Sequence, residues 1–78
     1  MADLKKILHD ITAAIVDNPD EIRIVEEEDG DNVTLTLSVA PDDMGKVIGR
    51  HGRIAKAIRL VMKAAANTVD KKTTIDIK

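Results

Sequence analysis

The residues best suited to chemistry in this chain are two glycines set among basic side chains, within the segment Gly45–Ile54. Gly49 and Gly52 are separated by two residues, and Arg50 and Arg53 lie beside them. Glycine tolerates positive φ angles and has no Cβ, so this spacing permits an abrupt turn that another main chain can approach closely. Arginine donates forked hydrogen bonds to phosphate oxygens. The pattern therefore predicts that the segment grips a phosphate backbone.

Two helices must position this loop. The acids of Pro41–Asp43 mark a helix start, and the short helix that follows ends at Gly49. A second helix is predicted from about Arg53 to Asn67, and its first turn offers unpaired N–H groups and the positive end of its dipole. A plain helix-turn-helix hairpin, with glycines serving only as cap and turn, contains the same four residues. The basic side chains and the neighbouring strands favour the binding interpretation.

The rest of the chain alternates between one helical pattern and three strand patterns. Residues 3–16 place apolar side chains at three- and four-residue spacings, and Asn18-Pro19 ends that helix. Alternation predicts a strand that begins near Ile22 and fades into an acidic run, and a second, clearer strand over residues 33–39. Residues 73–77 close the chain as a third strand.

The resulting order, α-β-β-α-α-β, predicts an α+β fold. The first two strands should pair as a hairpin, and the helical connection allows the second and third strands to lie parallel. Helices on one face of this mixed three-stranded sheet would give two layers. A chain of 78 residues is too short for two cores, so we expect a single domain over residues 1–78.

Charge is distributed unevenly along the chain, although the net charge is only −2. Residues 1–40 contain ten acids and three bases, whereas residues 41–65 contain six bases and two acids. A polyanion responds to the local field, because salt screens the acidic half beyond about 8–10 Å. The chain has no Phe, Tyr or Trp. This excludes RNA-binding folds that stack bases on aromatic platforms.

Composition argues against an enzyme, a metal site and a cofactor. There is no cysteine, and Ser38 is the only serine. The run Glu26–Asp31 lacks the spacing of a calcium-binding EF-hand loop and is better interpreted as a solvated charge run. The absence of cysteine fits a reducing compartment, and the N-terminus lacks the apolar run of a signal peptide. We therefore expect a cytoplasmic protein without membrane insertion.

The second long helix has more apolar surface than one buried face requires. Its polar stripe is narrow, and the apolar residues span an arc of roughly 240°. Either the leading helix of the same domain or a second subunit covers the excess. The small core favours a subunit interface, because oligomerisation is the source of additional stability that remains for a chain without disulfides or a metal site. The predicted interface residues are Ile58, Val61, Met62 and Ala65.

A family resemblance emerges from the extended loop motif. The segment Val47–Arg53 followed by Ala57-Ile58-Arg59 resembles the VIGxxG…AIR core of KH domains. The whole chain, in its type II element order, resembles the small bacterial single-KH proteins of the KhpA family. This resemblance implies binding of single-stranded RNA, with about four nucleotides across the loop. It also implies a homodimer, and a complex with a larger KH-containing protein of the Jag or EloR type. That pair is linked to post-transcriptional control, cell elongation and division.

One loop residue departs from the family pattern. His51 stands where lysine is frequent, so phosphate attraction near pH 7 should be weaker and pH-dependent, unless His51 is simply a tolerated exposed donor. His9 is assigned to the surface without a role. A protein-interaction module of KH shape with little RNA binding is the main alternative, and double-stranded DNA reading is a weaker one. The predicted RNA-binding residues are Lys46, Ile48, Gly49, Arg50, His51, Gly52, Arg53 and Lys56.

Overall fold

The computed structural model of the chain describes residues 3–78. Met1 and Ala2, the first two residues of the predicted domain, lie outside the described residues. Six regular elements follow in the predicted order of helix, two strands, two helices and strand. No helix within residues 3–78 is long and apolar enough to cross a membrane.

The first helix, α1 (Leu4–Ala13), begins at a side-chain cap. The Asp3 carboxylate accepts a hydrogen bond of 3.1 Å from the backbone N–H of Lys6, which satisfies one of the free donors of the first turn. Leu4, Leu8 and Thr12 are buried, one turn apart on the same face.

Helix α1 ends three residues before the predicted end at residue 16. The chain turns after Ala13, and Val16 is buried in the core. The backbone N–H groups of Asp17 and Asn18 then donate to the carboxylate of Asp43, far along the chain. Because these donors bond to a distant side chain, the helix cannot continue through them.

The sheet has the predicted topology. Strand β1 (Arg23–Asp29) pairs antiparallel with β2 (Asn32–Ser38), which pairs parallel with β3 (Lys72–Ile77). Strand β2 is therefore central. Representative Cα partners are Ile24 with Leu37 and Glu28 with Val33 in the antiparallel pair, and Leu35 with Ile75 in the parallel pair.

The acidic run belongs fully to β1, so the prediction that the strand fades there is wrong. Each residue of Glu26–Asp29 has a partner on β2. Backbone pairing does not require buried side chains, and β1 is an edge strand whose exposed carboxylates are solvated. Charge on an edge strand also discourages pairing with another chain.

Helices α1 and α3 (Arg53–Asn67) pack on one face of the sheet and on each other. The alternation predicted for β2 is present, since Val33, Leu35 and Leu37 are buried and the intervening residues are half-buried. The largest fully buried apolar side chains are Leu8, Leu35, Leu37, Met62 and Val47. These features confirm the predicted two-layer α+β fold.

The helical connection between β2 and β3 contains a short and a long helix. A single 3₁₀ turn, Pro41–Asp43, precedes α2 (Met44–Ile48), which has five residues. The helix start predicted from the acids of Pro41–Asp43 thus forms the 3₁₀ turn. Helix α3 has the predicted bounds.

Helix α3 does not present the predicted interface residues together on its surface. Ile58 and Met62 are 3% and 0% exposed, and both belong to the domain's own core. Little or none of their surface is therefore left for a partner. Ala65 is half-buried, and Val61 is exposed.

Candidate nucleic-acid interface

The loop between α2 and α3, residues 49–52, has three residues with positive φ angles. Gly49 has φ 73° and ψ 176°, a combination that favours glycine. His51 (φ 57°, ψ 23°) and Gly52 (φ 73°, ψ 15°) are both left-handed. The backbone N–H of Gly49 donates to Gly45 O at 2.8 Å and thereby closes α2. We call this segment the glycine loop.

The two glycines have different roles. A Cβ on Gly49 would lie 2.6–2.9 Å from side-chain atoms of Ile54, so Gly49 is required for the packing of Ile54. A Cβ on Gly52 would meet nothing within 4 Å. Of the two positions, only Gly52 therefore leaves open space through which a ligand backbone can approach.

Helix α3 starts with unbalanced positive charge. Its N-cap residue is Gly52, which provides no side-chain hydrogen bond, and its first turn contains no acid. Arg53 and Lys56 lie there instead, where cations are unfavourable beside the positive end of the helix dipole. The backbone N–H of Arg53 donates to Arg50 O. An anion beside this turn would relieve the repulsion and would be attracted by the positive end of the helix dipole.

Three basic side chains lie in or directly after the glycine loop. Arg50, Arg53 and Lys56 are exposed. None of them makes an ion pair with a carboxylate among residues 3–78. Their donors therefore face solvent and are available to a ligand. Ile48 adds an apolar side chain, 40% exposed, just before the loop.

Lys46 is the predicted site residue that differs from the others. Its ammonium pairs with the carboxylate of Asp17 and lies 3.8 Å from Asp43 Oδ1. The hydrogen bond to Asp17 raises the pKa of Lys46 above its ordinary value, against the opposing effect of burial. Its charge is thus already neutralised by acids near the end of α1.

Sequence reasoning left Arg59 out of the predicted site. Arg59 Nε donates at 3.2 Å to the carbonyl of Ile75, on the edge strand β3. This bond holds the guanidinium beside the sheet edge, with its other donors exposed. Lys56, Arg59 and Lys63 share one side of α3, which we call the basic flank. The narrow polar stripe of this helix was the signal in the sequence that could have pointed to Arg59. The sequence did not indicate that the stripe borders β3.

The opposite side of α3 is apolar. It forms an open depression of about 320 Å³ with α1, which we call the apolar groove. Val61 and Ile54 are 49% and 36% exposed there, and Arg53 lies at the rim. The groove is lined by Ile11, Ile15, Arg53, Ile54, Ala57, Ile58 and Val61. Of the predicted interface residues, Val61 and the buried Ile58 line it, and Ile11, Ile15 and Ile54 were missed.

Comparison with known proteins identifies the family. Residues 5–77 match the KH domain of KhpA and KhpB. The chain belongs to this family. The RNA-binding protein KhpA of Halalkalibacterium halodurans is 47% identical over 74 residues, covering 95% of this chain and 97% of that protein. Its counterpart in Clostridium acetobutylicum is 49% identical, with coverage of 95% and 99%.

A KhpA protein of Listeria monocytogenes is also similar, at 40% identity over 74 residues. The resemblance deduced from the loop motif is thereby confirmed. These relatives are named as RNA-binding proteins, which agrees with the expectation of a binding protein and not an enzyme.

Proposed function

We propose that this chain binds single-stranded RNA through the glycine loop and the first turn of α3. The observation that carries the proposal is a coincidence in space. Open room at Gly52, a helix start without a side-chain cap, and the cations Arg50 and Arg53, which make no ion pair within residues 3–78, all lie in one short segment. The names of the KhpA relatives support RNA as the ligand.

Each residue has a role in this proposal. Gly52 admits the phosphate backbone, Arg50 and Arg53 neutralise it, and Lys56 extends the charge along α3. His51 donates a hydrogen bond from the exposed tip, and Ile48 contacts a base. Gly49 acts indirectly, by allowing Ile54 to pack beneath the loop. Because most of these contacts go to phosphates, binding should tolerate many sequences.

The decisive experiment compares Gly52→Asp with Gly52→Asn. Both side chains tolerate the left-handed conformation, have nearly the same shape and enter open space. Only aspartate adds negative charge at the phosphate position. We expect Gly52→Asp to bind a short single-stranded RNA at least about tenfold more weakly than Gly52→Asn, which corresponds to one lost charged contact.

Equal RNA affinity of these two variants, both folded by circular dichroism, would contradict the proposal. Gly49→Asp is unsuitable for this purpose. The new side chain would collide with Ile54 and require an unfavourable backbone conformation, so lost binding would report lost structure.

We further propose that the chain works in the cytoplasm as a homodimer, or with a larger KH-containing protein of the Jag or EloR type. The apolar groove, which is lined in part by the exposed Val61, supports a subunit interface on that side of α3. A single loop that contacts about four nucleotides carries little information, so two linked loops would raise affinity and selectivity. The proposed setting is post-transcriptional control linked to cell elongation and division.

The same groove favours a second candidate function, a protein-interaction module with little RNA binding. The two candidates differ at Gly52, which lies outside the groove lining. An interaction module would still assemble in both Gly52 variants. The unaltered chain and both variants would show little RNA binding.

A further inference from the structure

A buried carboxylate connects the end of α1 to the start of α2. Asp43 is 1% exposed. It accepts hydrogen bonds from the backbone N–H of Asp17 at 3.1 Å and of Asn18 at 2.9 Å, and from Asn18 Nδ2 at 3.1 Å. Acidic side chains are almost never fully buried unless they are paired. These three donors satisfy the charge and join segments about 25 residues apart.

Lys46 joins the same two segments a second time. Its ammonium pairs with Asp17 and approaches Asp43, so it lies on the side of α2 that faces the end of α1. Although burial opposes ionisation, the backbone and side-chain donors of Asp17 and Asn18, together with Lys46, hold the pKa of Asp43 below its ordinary value. Asp43 and Lys46 are therefore both charged near neutral pH.

The position of this cluster determines the position of the glycine loop. Asp43 immediately precedes α2, and Gly49 immediately follows it. Helix α2 is only five residues long, about 7.5 Å at 1.5 Å per residue. The Asp43 cluster therefore anchors the chain one short helix away from the glycine loop.

We infer that Asp43 is a positioning residue for the RNA-binding loop, and that Lys46 acts with it instead of contacting RNA. This inference rests on the proposed RNA binding at the glycine loop. It changes the role predicted for Lys46 from the sequence, because the charge that would attract phosphate is used to hold α2 in place. Removing either side chain should loosen the loop without removing a phosphate contact.

The first test uses Asp43→Asn, whose amide cannot accept hydrogen bonds at both positions. We expect RNA affinity to fall at least about tenfold, since hydrogen bonds to a charged group are lost. Hydrogen exchange of the Gly49 N–H, which bonds Gly45 O, should accelerate. Val33→Ala is the control, because it destabilises the core at the far end of β2.

Measurements are made at a temperature at which both variants are folded. Val33→Ala should retain the RNA affinity and the Gly49 exchange rate of the unaltered protein. If Asp43→Asn behaves like Val33→Ala in both measurements, its role is only structural and the inference is wrong.

The second test compares Lys46→Gln with Lys56→Gln, each of which removes one positive charge. The salt dependence of binding counts phosphate contacts, with a slope of about 0.7 per contact for single strands. Lys56→Gln should reduce this slope by about 0.7. Lys46→Gln should leave the slope unchanged while weakening RNA binding about threefold, the effect of one exposed ion pair.

A slope that falls equally in both variants would show that Lys46 touches RNA and would overturn the inference, as would unchanged affinity in Lys46→Gln. This second test also decides the question if Asp43→Asn does not fold. Lys46 is 44% exposed, and after its replacement the buried Asp43 carboxylate still accepts the hydrogen bonds of Asp17 and Asn18. If Gly52→Asp and Gly52→Asn bind RNA equally, the proposed function itself fails. If they differ but the Asp43 and Lys46 outcomes are absent, only the positioning role fails.

Discussion

At the scale of single residues, the glycine loop combines positions that need a particular backbone with positions that need a particular charge. Gly49 serves the backbone, since its absent Cβ leaves room for Ile54. Arg50 serves charge, since it is exposed and without an internal ion pair among residues 3–78. His51 is exposed at the tip of the loop, and its backbone has a left-handed conformation although it is not glycine.

Replacing His51 by lysine should strengthen RNA binding. The added ammonium would lie at the tip of the loop, and the salt-dependence slope should increase by about 0.7 for the new phosphate contact. The matched control is His9→Lys, which adds the same charge to an exposed position on α1. Equal changes in RNA affinity for the two variants would mean that the loop has no special role in attracting phosphate.

At the scale of elements, α3 separates two kinds of surface. Its basic flank borders the edge strand β3, where Arg59 is bonded to the carbonyl of Ile75. Its other flank borders α1 and forms the apolar groove. One helix thus has a charged side and an apolar side, while its third side packs on the sheet.

The helical wheel of α3 predicted excess apolar surface, which the helix has at Val61 and Ile54. Periodicity identifies which residues share a face, but it does not indicate which face meets the sheet. Ile58 and Met62 were assigned to a partner and are core residues, whereas Ile54 was overlooked. On the groove side, α1 supplies Ile11 and the turn after it supplies Ile15, and no pattern within α3 could reveal either residue.

The groove should support self-association. We expect the unaltered chain to sediment as a dimer at high micromolar concentration, and Val61→Glu to sediment as a monomer, because an exposed carboxylate would remain unpaired in an apolar contact. Val25→Glu is the matched control, since Val25 is 56% exposed on β1, outside the groove lining. A strict monomer before any substitution would contradict the homodimer.

At the scale of the whole molecule, local sequence patterns predicted element order, topology and the glycine loop well. Alternation in β2, the glycine that ends α2, and the spacing of Gly49 and Gly52 all act over a few residues. The buried link from Asp43 to Asp17 and Asn18 was not predictable in this way. It joins distant segments through one carboxylate, and in the sequence Asp43 appears only as an acid near a helix start.

Opposite charges occupy different parts of the molecule. The acidic residues of β1 lie on one edge of the sheet, whereas β3 and the basic flank form the other edge. The central strand β2 separates them, so the net charge of −2 does not describe the field near the glycine loop.

The central claim is that RNA lies on the glycine loop and the first turn of α3. It is tested most directly by titrating the ¹⁵N-labelled chain with a short single-stranded RNA and following every backbone amide by NMR. We expect the largest shifts within residues 49–56, with little change at Ile11 and Ile15 of the groove or along β1. Largest shifts at the groove or at β1, with residues 49–56 unaffected, would contradict the claim.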